Sequence, residues 1–130
     1  MKTFTLIKID SIEGKQDIYK LEIDNNCQFD EFEKEILSRR QYDNELGSIY
    51  SLMEDVANNK LLPKTRFRDI TLSKRDKIKE YEFKTRNLRV YAIKSPGGKI
   101  IILGGYKNNQ KKDIKKFRYI KAEYLKDQKQ

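Results

Sequence analysis

Leu88-Arg89-Val90-Tyr91-Ala92-Ile93-Lys94-Ser95-Pro96-Gly97-Gly98-Lys99-Ile100-Ile101-Ile102-Leu103-Gly104-Gly105 is the stretch that decides the fold. Over residues 88–94 two series alternate. Leu88, Val90 and Ala92 fall on one side, and Arg89, Tyr91 and Ile93 on the other, which is the period of a strand. Ser95-Pro96-Gly97-Gly98 is a hairpin turn. Residues 99–103 then carry four apolar side chains in succession, the mark of a central strand covered on both faces. Gly104-Gly105 is expected to end that strand.

Upstream, Ile78, Glu80, Glu82 and Lys84 alternate with Lys79, Tyr81 and Phe83, so residues 78–84 form the preceding strand, joined to the next through Thr85-Arg86-Asn87. Leu61-Leu62-Pro63 opens an irregular connection anchored by Phe67 and Ile70. Before it, Phe29, Phe32, Ile36 and Leu37 mark one amphipathic helix and Leu46, Ile49, Tyr50, Met53, Val56 and Ala57 a second. Together they form an αα-hairpin that needs a sheet to cover it. Residues 3–10 and 16–24 form a β-hairpin with its turn at Glu13-Gly14. Downstream, Ile114, Phe117, Ile120, Tyr124 and Leu125 mark the buried stripe of a last helix over residues 110–127. The order ββ-αα-βββ-α, with strands joined by hairpins, gives an α+β fold: a mainly antiparallel, twisted sheet packed against the αα-hairpin, with a basic C-terminal helix. The 130 residues fit one domain, 1–130, with residues 1–24 as an N-terminal hairpin extension.

The net charge of +9 is unevenly placed. Residues 1–59 carry 7 Lys and Arg against 13 Asp and Glu, a net −6; residues 60–130 carry 22 against 7, a net +15. Such asymmetry points to a polyanionic partner, foremost RNA, against the plain reading of a Lys-rich solvated surface. There is no His, which excludes imidazole chemistry, and Cys27 stands alone, so neither a zinc site nor an internal disulfide is expected. No cofactor is expected. The absence of a leader-like apolar N-terminus and of an apolar run long enough to span a bilayer leads to an expectation of a cytoplasmic protein without membrane contact.

Within the basic half, Arg89 lies in a segment expected to be central. A guanidinium there is costly unless it is paired or opens into a cleft. An ion pair with Glu80 or Glu82 and an anion site are both open, and one carboxylate that orients the Arg accommodates both. Glu80, Glu82 and Lys84, with Arg86 beyond them, read as a solvent-exposed strand face, with a mixed-charge cleft floor as the alternative. Tyr106 can stack on a base and Lys107 can meet a phosphate, against ordinary roles as core edge and solubilising charge. Lys111, Lys112, Lys115, Lys116, Arg118 and Lys121 cover the outer face of the last helix and would position a nucleic acid without reading its sequence.

These residues carry a likeness. Tyr81-Glu82-Phe83-Lys84, then Leu88-Arg89-Val90-Tyr91, the Gly97-Gly98 hairpin, Ile100 to Lys107 and a basic helix resemble the RelE/HigB toxin superfamily of bacterial type II toxin–antitoxin pairs, over about residues 67–125. The resemblance implies a RelE-like domain acting as a ribosome-dependent mRNA endonuclease (an mRNA interferase). Such an enzyme uses the RNA's own 2′-OH as nucleophile, leaves a 2′,3′-cyclic phosphate and needs no metal. It also implies an antitoxin partner with an acidic or amphipathic helix. By position, Arg89 would contact the scissile phosphate. Lys84 stands where the family usually has Arg, Lys107 on the first Lys of a pair, Glu82 on an acid that serves as base or orients the Arg, and Tyr106 on the aromatic before the pair. Three departures stand out: the N-terminal hairpin is longer than the single strand the family implies, Gly104-Gly105-Tyr106 replaces a stretch that carries His in several members, and Asn108 replaces the second Lys. A ParE-like inhibitor of DNA gyrase without catalysis, and a plain nucleic-acid-binding protein, are the alternatives. A Lys serving as base would need neighbouring cations to lower its pKa, and Lys84, Arg86, Arg89 and Lys107 are the candidates for such a cluster.

Overall fold

The computed structural model describes residues 1–129. Along the chain run β1 (Phe4–Lys8), β2 (Asp17–Ile23), β3 (Asn26–Cys27), α1 (Gln28–Arg39), α2 (Asp43–Ala57), β4 (Phe67–Asp69), β5 (Glu80–Lys84), β6 (Leu88–Ser95) and β7 (Gly98–Tyr106). A 3-10 turn at Lys107–Asn109 then leads into α3 (Gln110–Gln128). All strands join one sheet, ordered β1-β2-β7-β6-β5-β4, with β3 pairing the end of β2. Every pairing is antiparallel except β2 with β7, which is parallel. The expected α+β class, mainly antiparallel sheet, αα-hairpin and basic last helix are all present. No helix of the described residues is long and apolar enough to cross a membrane.

The alternation in β6 sorts the two cores. Leu88, Val90 and Ala92, with Phe83, Ile18 and Ile101, meet Phe29, Phe32 and Ile36 of α1 and Leu46, Ile49 and Met53 of α2. On the other face Tyr91, Ile93, Ile100 and Ile102 meet Phe117, Ile120 and Tyr124 of α3. Each such side chain contributes about 1.5–3 kcal/mol when fully buried. The sheet is therefore a middle layer between the αα-hairpin and α3.

Four features depart from the sequence-based expectation. First, Gly104-Gly105 does not end the strand. Tyr91 pairs with Leu103 and Ala92 with Ile101, so Ile102 is an extra residue and the strand bulges there. A bulge re-aims the residues beyond it: Gly104 lies under Phe32 of α1 and Gly105 under Asp113 of α3, and at both a Cβ would collide with those side chains. Glycine lets both helices close on β7 while the strand continues. Second, residues 67–69 are a short edge strand, β4, rather than irregular chain. Third, the connection between β1 and β2 is no tight turn. Its Ile9 and Ile12 are buried, and Gly14 abuts Ala57, where a Cβ would stand 2.8 Å from the Ala57 Cβ. Fourth, Lys121 is not on the outer face of α3. It is 5% exposed and its amine donates to Asp76, Glu80 and the Ile78 carbonyl at 2.7–2.9 Å.

Candidate anion-binding site

The site lies on the α3 face of the sheet, where the β5–β6 hairpin meets the end of β7. Cross-strand register builds it in two rows. Arg68, Glu82, Tyr91 and Leu103 stand opposite one another in turn across β4, β5, β6 and β7, and Lys84, Arg89 and Gly105 form the next row. Opposed residues share a face, so side chains from four strands converge although they are far apart in sequence.

Glu80 and Glu82 do not face solvent, contrary to the sequence reading: they are 4% and 0% exposed. Arg118 Nε donates to Glu80 at 2.9 Å and Arg118 Nη2 to the Ile70 carbonyl at 2.8 Å. Glu82 accepts from Arg68 Nε at 2.9 Å and from Gln110 Nε2 at 2.6 Å, one donor on each oxygen. Arg118 is thus committed inward to a carboxylate, rather than offered to a nucleic acid.

Arg89 pairs with neither acid. It is 5% exposed, and its Nη1 donates to the main-chain carbonyls of Thr85 at 2.5 Å and Leu88 at 2.8 Å. Its Nε–H is buried without an acceptor. The Nε–Nη2 edge is the fork that meets carboxylate and phosphate two-pronged, and it is unused. Beside it, the Lys84 amine is held below its ordinary value, by burial first and then by the charges of Arg68, Arg89 and Lys107, with Glu82 opposing. The charged neighbours of Lys84 are thus three cations and one carboxylate, Glu82, whose oxygens are already engaged.

The loop between β5 and β6 is tied down. Glu45 of α2 accepts from Thr85 Oγ1 at 2.6 Å and from the backbone and side-chain nitrogens of Asn87 at 2.7 Å. The Asn87 carbonyl accepts from the Lys107 N–H at 2.9 Å, fixing the turn that carries exposed Lys107. Arg86 is exposed at the tip of this loop, where its charge acts on Glu45 rather than on Lys84. Lys111, Lys112 and Lys115 are exposed on α3, and Lys116 reaches Gln28 Oε1 at 2.8 Å.

Tyr106 does not join the cluster. It stands opposite Leu88, on the αα-hairpin face, with its ring 6.1 Å from Phe32 and 6.0 Å from Tyr42. Burial pushes its hydroxyl up. Behind the two glycines a cleft of about 450 Å³ is lined by Glu31, Glu35 and Asp113.

Arg68, Gln110 and Glu45 were missed in sequence. The only local signal was polar Arg66 and Arg68 flanking Phe67, a three-residue alternation too short to read as a strand. No group of three or more His, Cys, Asp or Glu among the described residues is placed to hold a metal ion. No family model matches the sequence, and the searches of curated proteins and of solved structures found no match.

Proposed function

We propose that the protein is a RelE-like mRNA endonuclease, the toxin of a type II toxin–antitoxin pair. One observation carries this reading: a buried, carboxylate-free Arg89 with an unused fork, set among Lys84, Arg68 and Lys107 around an already saturated Glu82. An uncompensated buried cation is expensive, and a phosphodiester supplies the missing charge. The order αα-hairpin, β5, β6, β7, basic helix supports the resemblance, while the pair β1 and β2 stands where the resemblance implies a single strand.

The chemistry needs three things: charge neutralisation at phosphorus, removal of the 2′ proton, and a proton for the leaving 5′ oxygen. The Arg89 fork neutralises the phosphorane. Lys84, whose amine is held below its ordinary value, takes the 2′ proton as that oxygen attacks phosphorus and a 2′,3′-cyclic phosphate forms. Exposed Lys107 stands at the rim to give the leaving 5′ oxygen its proton. Glu82 orients Arg68 and is not itself a base, because both its oxygens are occupied and it is shut off from solvent. Arg68 takes the role of charge neighbour that the sequence suggested for Arg86. Lys111, Lys112 and Lys115 hold the flanking backbone, an ionic contribution that weakens with salt. The partners are mRNA on the ribosome and an antitoxin whose acidic or amphipathic helix covers the basic face.

Mapping of RNA ends tests this. Purified protein added to ribosomes translating a defined mRNA should produce new 5′-OH ends within the reading frame and 2′,3′-cyclic phosphate partners. Intact message with DNA supercoiling blocked would favour gyrase inhibition; RNA binding with neither effect would favour a plain binding protein.

A further inference from the structure

Both oxygens of the Glu45 carboxylate are spent on one loop. One accepts from Thr85 Oγ1 at 2.6 Å and from the Asn87 N–H at 2.7 Å, and the other from Asn87 Nδ2 at 2.7 Å. Thr85 Oγ1 passes the restraint on by accepting from the Leu88 N–H at 3.2 Å. The two carbonyls that hold the Arg89 guanidinium are those of Thr85 and Leu88, the residues at either end of the loop that Glu45 clamps. Glu45 lies in the first turn of α2, where any acid is favoured by the helix dipole, but it makes no capping bond to its own helix. Its contacts all run 40 or more residues down the chain to the edge of the anion site.

We infer that Glu45 is a positioning residue for the anion site: it holds the 85–87 loop in the shape that seats Arg89 by Nη1 and leaves the Nε–Nη2 edge without a protein partner. The inference rests on the reading of Arg89 as the anion ligand. Burial raises the Glu45 pKa, but hydrogen bonds from Asn87 and Thr85 outweigh it and keep the carboxyl below its ordinary value, as a carboxylate serving those donors requires. Within the loop the Thr85 N–H donates to the Leu88 carbonyl at 3.1 Å, but that bond gives neither the Thr85 hydroxyl nor the Asn87 N–H an acceptor. Without Glu45 the Thr85 hydroxyl and the Asn87 N–H lose their acceptor, and the Thr85 carbonyl is free to turn away from Arg89.

A double-mutant cycle separates positioning from general stability. The probe is a short single-stranded RNA oligonucleotide at fixed salt, on variants confirmed folded by thermal unfolding. Glu45→Ala should weaken RNA binding about tenfold, the size expected from losing hydrogen bonds to a charged group. In an Arg89→Met background the same change should cost at least about threefold less. Losses that multiply in full would overturn the inference. Should Glu45→Ala not fold, Glu45→Gln, which keeps one acceptor oxygen, gives the same cycle with a smaller loss. A second arm needs no RNA. The Nε–H resonance of Arg89, observed by NMR, should shift and exchange faster with water in the Glu45 variants, and an unchanged resonance sinks the inference. Arg89→Met binding RNA as tightly as the parent would refute the RNA reading alone, while the resonance still judges Glu45.

Discussion

Arg89 and Glu82 occupy the same face of the sheet on adjacent strands and make no ion pair. The carboxylate takes Arg68 and Gln110, and the guanidinium takes two main-chain carbonyls. A fold arranged only for stability would let the two neutralise each other, since a charge left unpaired in a low-dielectric interior is worth several kcal/mol of destabilisation. Keeping them apart leaves positive charge at a fixed place, as the proposed anion site requires.

Replacing Arg89 should therefore harm function more than folding. Arg89→Met keeps volume and removes the charge. Its unfolding free energy should stay within about 1 kcal/mol of the parent, because desolvating the guanidinium offsets the hydrogen bonds it makes. Cleavage should fall by about a hundredfold or more, as when a donor to a developing oxyanion is removed. Thermal unfolding and single-turnover cleavage check the two halves. A variant that fails to fold would make Arg89 a structural residue.

Anions should stabilise the protein through the same fork. Phosphate binding only the folded state adds RT ln(1 + [L]/Kd), about 2.7 kcal/mol at a hundred times Kd. Phosphate should therefore raise the melting temperature more than chloride does at equal ionic strength, and the difference should vanish in Arg89→Met. A difference that persists there would place the anion elsewhere, most simply on the exposed lysines of α3.

How much of this was written in the chain depends on how local each signal is. The strands β5, β6 and β7 and all three helices were legible, because alternation and amphipathic stripes are properties of neighbours in sequence. The bulge at Ile102 was not, since four apolar residues in a row show no change of face when one is extra. The burial of Glu80 was hidden for a different reason: its partners Arg118 and Lys121 come from α3, and in sequence they read as two more cations of a solvated face. Arg68 was lost with its strand, which is three residues long. Arg89 stood out because charge in a central-strand pattern is itself anomalous, whereas Lys84 and Lys107 were singled out only by the resemblance.

The pH dependence should track Lys84. Its amine is held below its ordinary 10.5, by burial first and then by Arg68 and Arg89. Between that lowered value and 10.5 the unfolded chain binds more protons than the folded one, so stability should rise with pH across this window. An anion favours the charged amine, so RNA affinity should fall as pH rises through the lowered value, while cleavage with Lys84 as base rises up to it. Lys84→Arg keeps the charge and removes the base. It should bind RNA as the parent does and cut about a hundredfold more slowly. A pH–rate profile unchanged in Lys84→Arg would remove Lys84 from the reaction.

Lys121 should behave in the opposite way to Arg89. Its amine is buried between Glu80 and Asp76, at 2.9 and 2.7 Å, and it joins the middle of α3 to β5 and the loop before it. Breaking such a pair by removing one partner strands the other charge, at about 3–5 kcal/mol. Arg118 still holds one oxygen of Glu80, so the lower end of that range is expected for Lys121→Ala. The site itself lies at the other end of β5, around Lys84, and its ligands do not include Lys121. At a temperature where the variant is folded, its RNA affinity should match the parent's within about twofold, well under the roughly 1.4 kcal/mol that marks a tenfold change. Denaturant unfolding and RNA titration together decide it. A loss of affinity as large as the loss of stability would mean that α3 moves as one piece with the site, and the division of labour between the Glu80 and Lys84 ends of β5 would have to be abandoned.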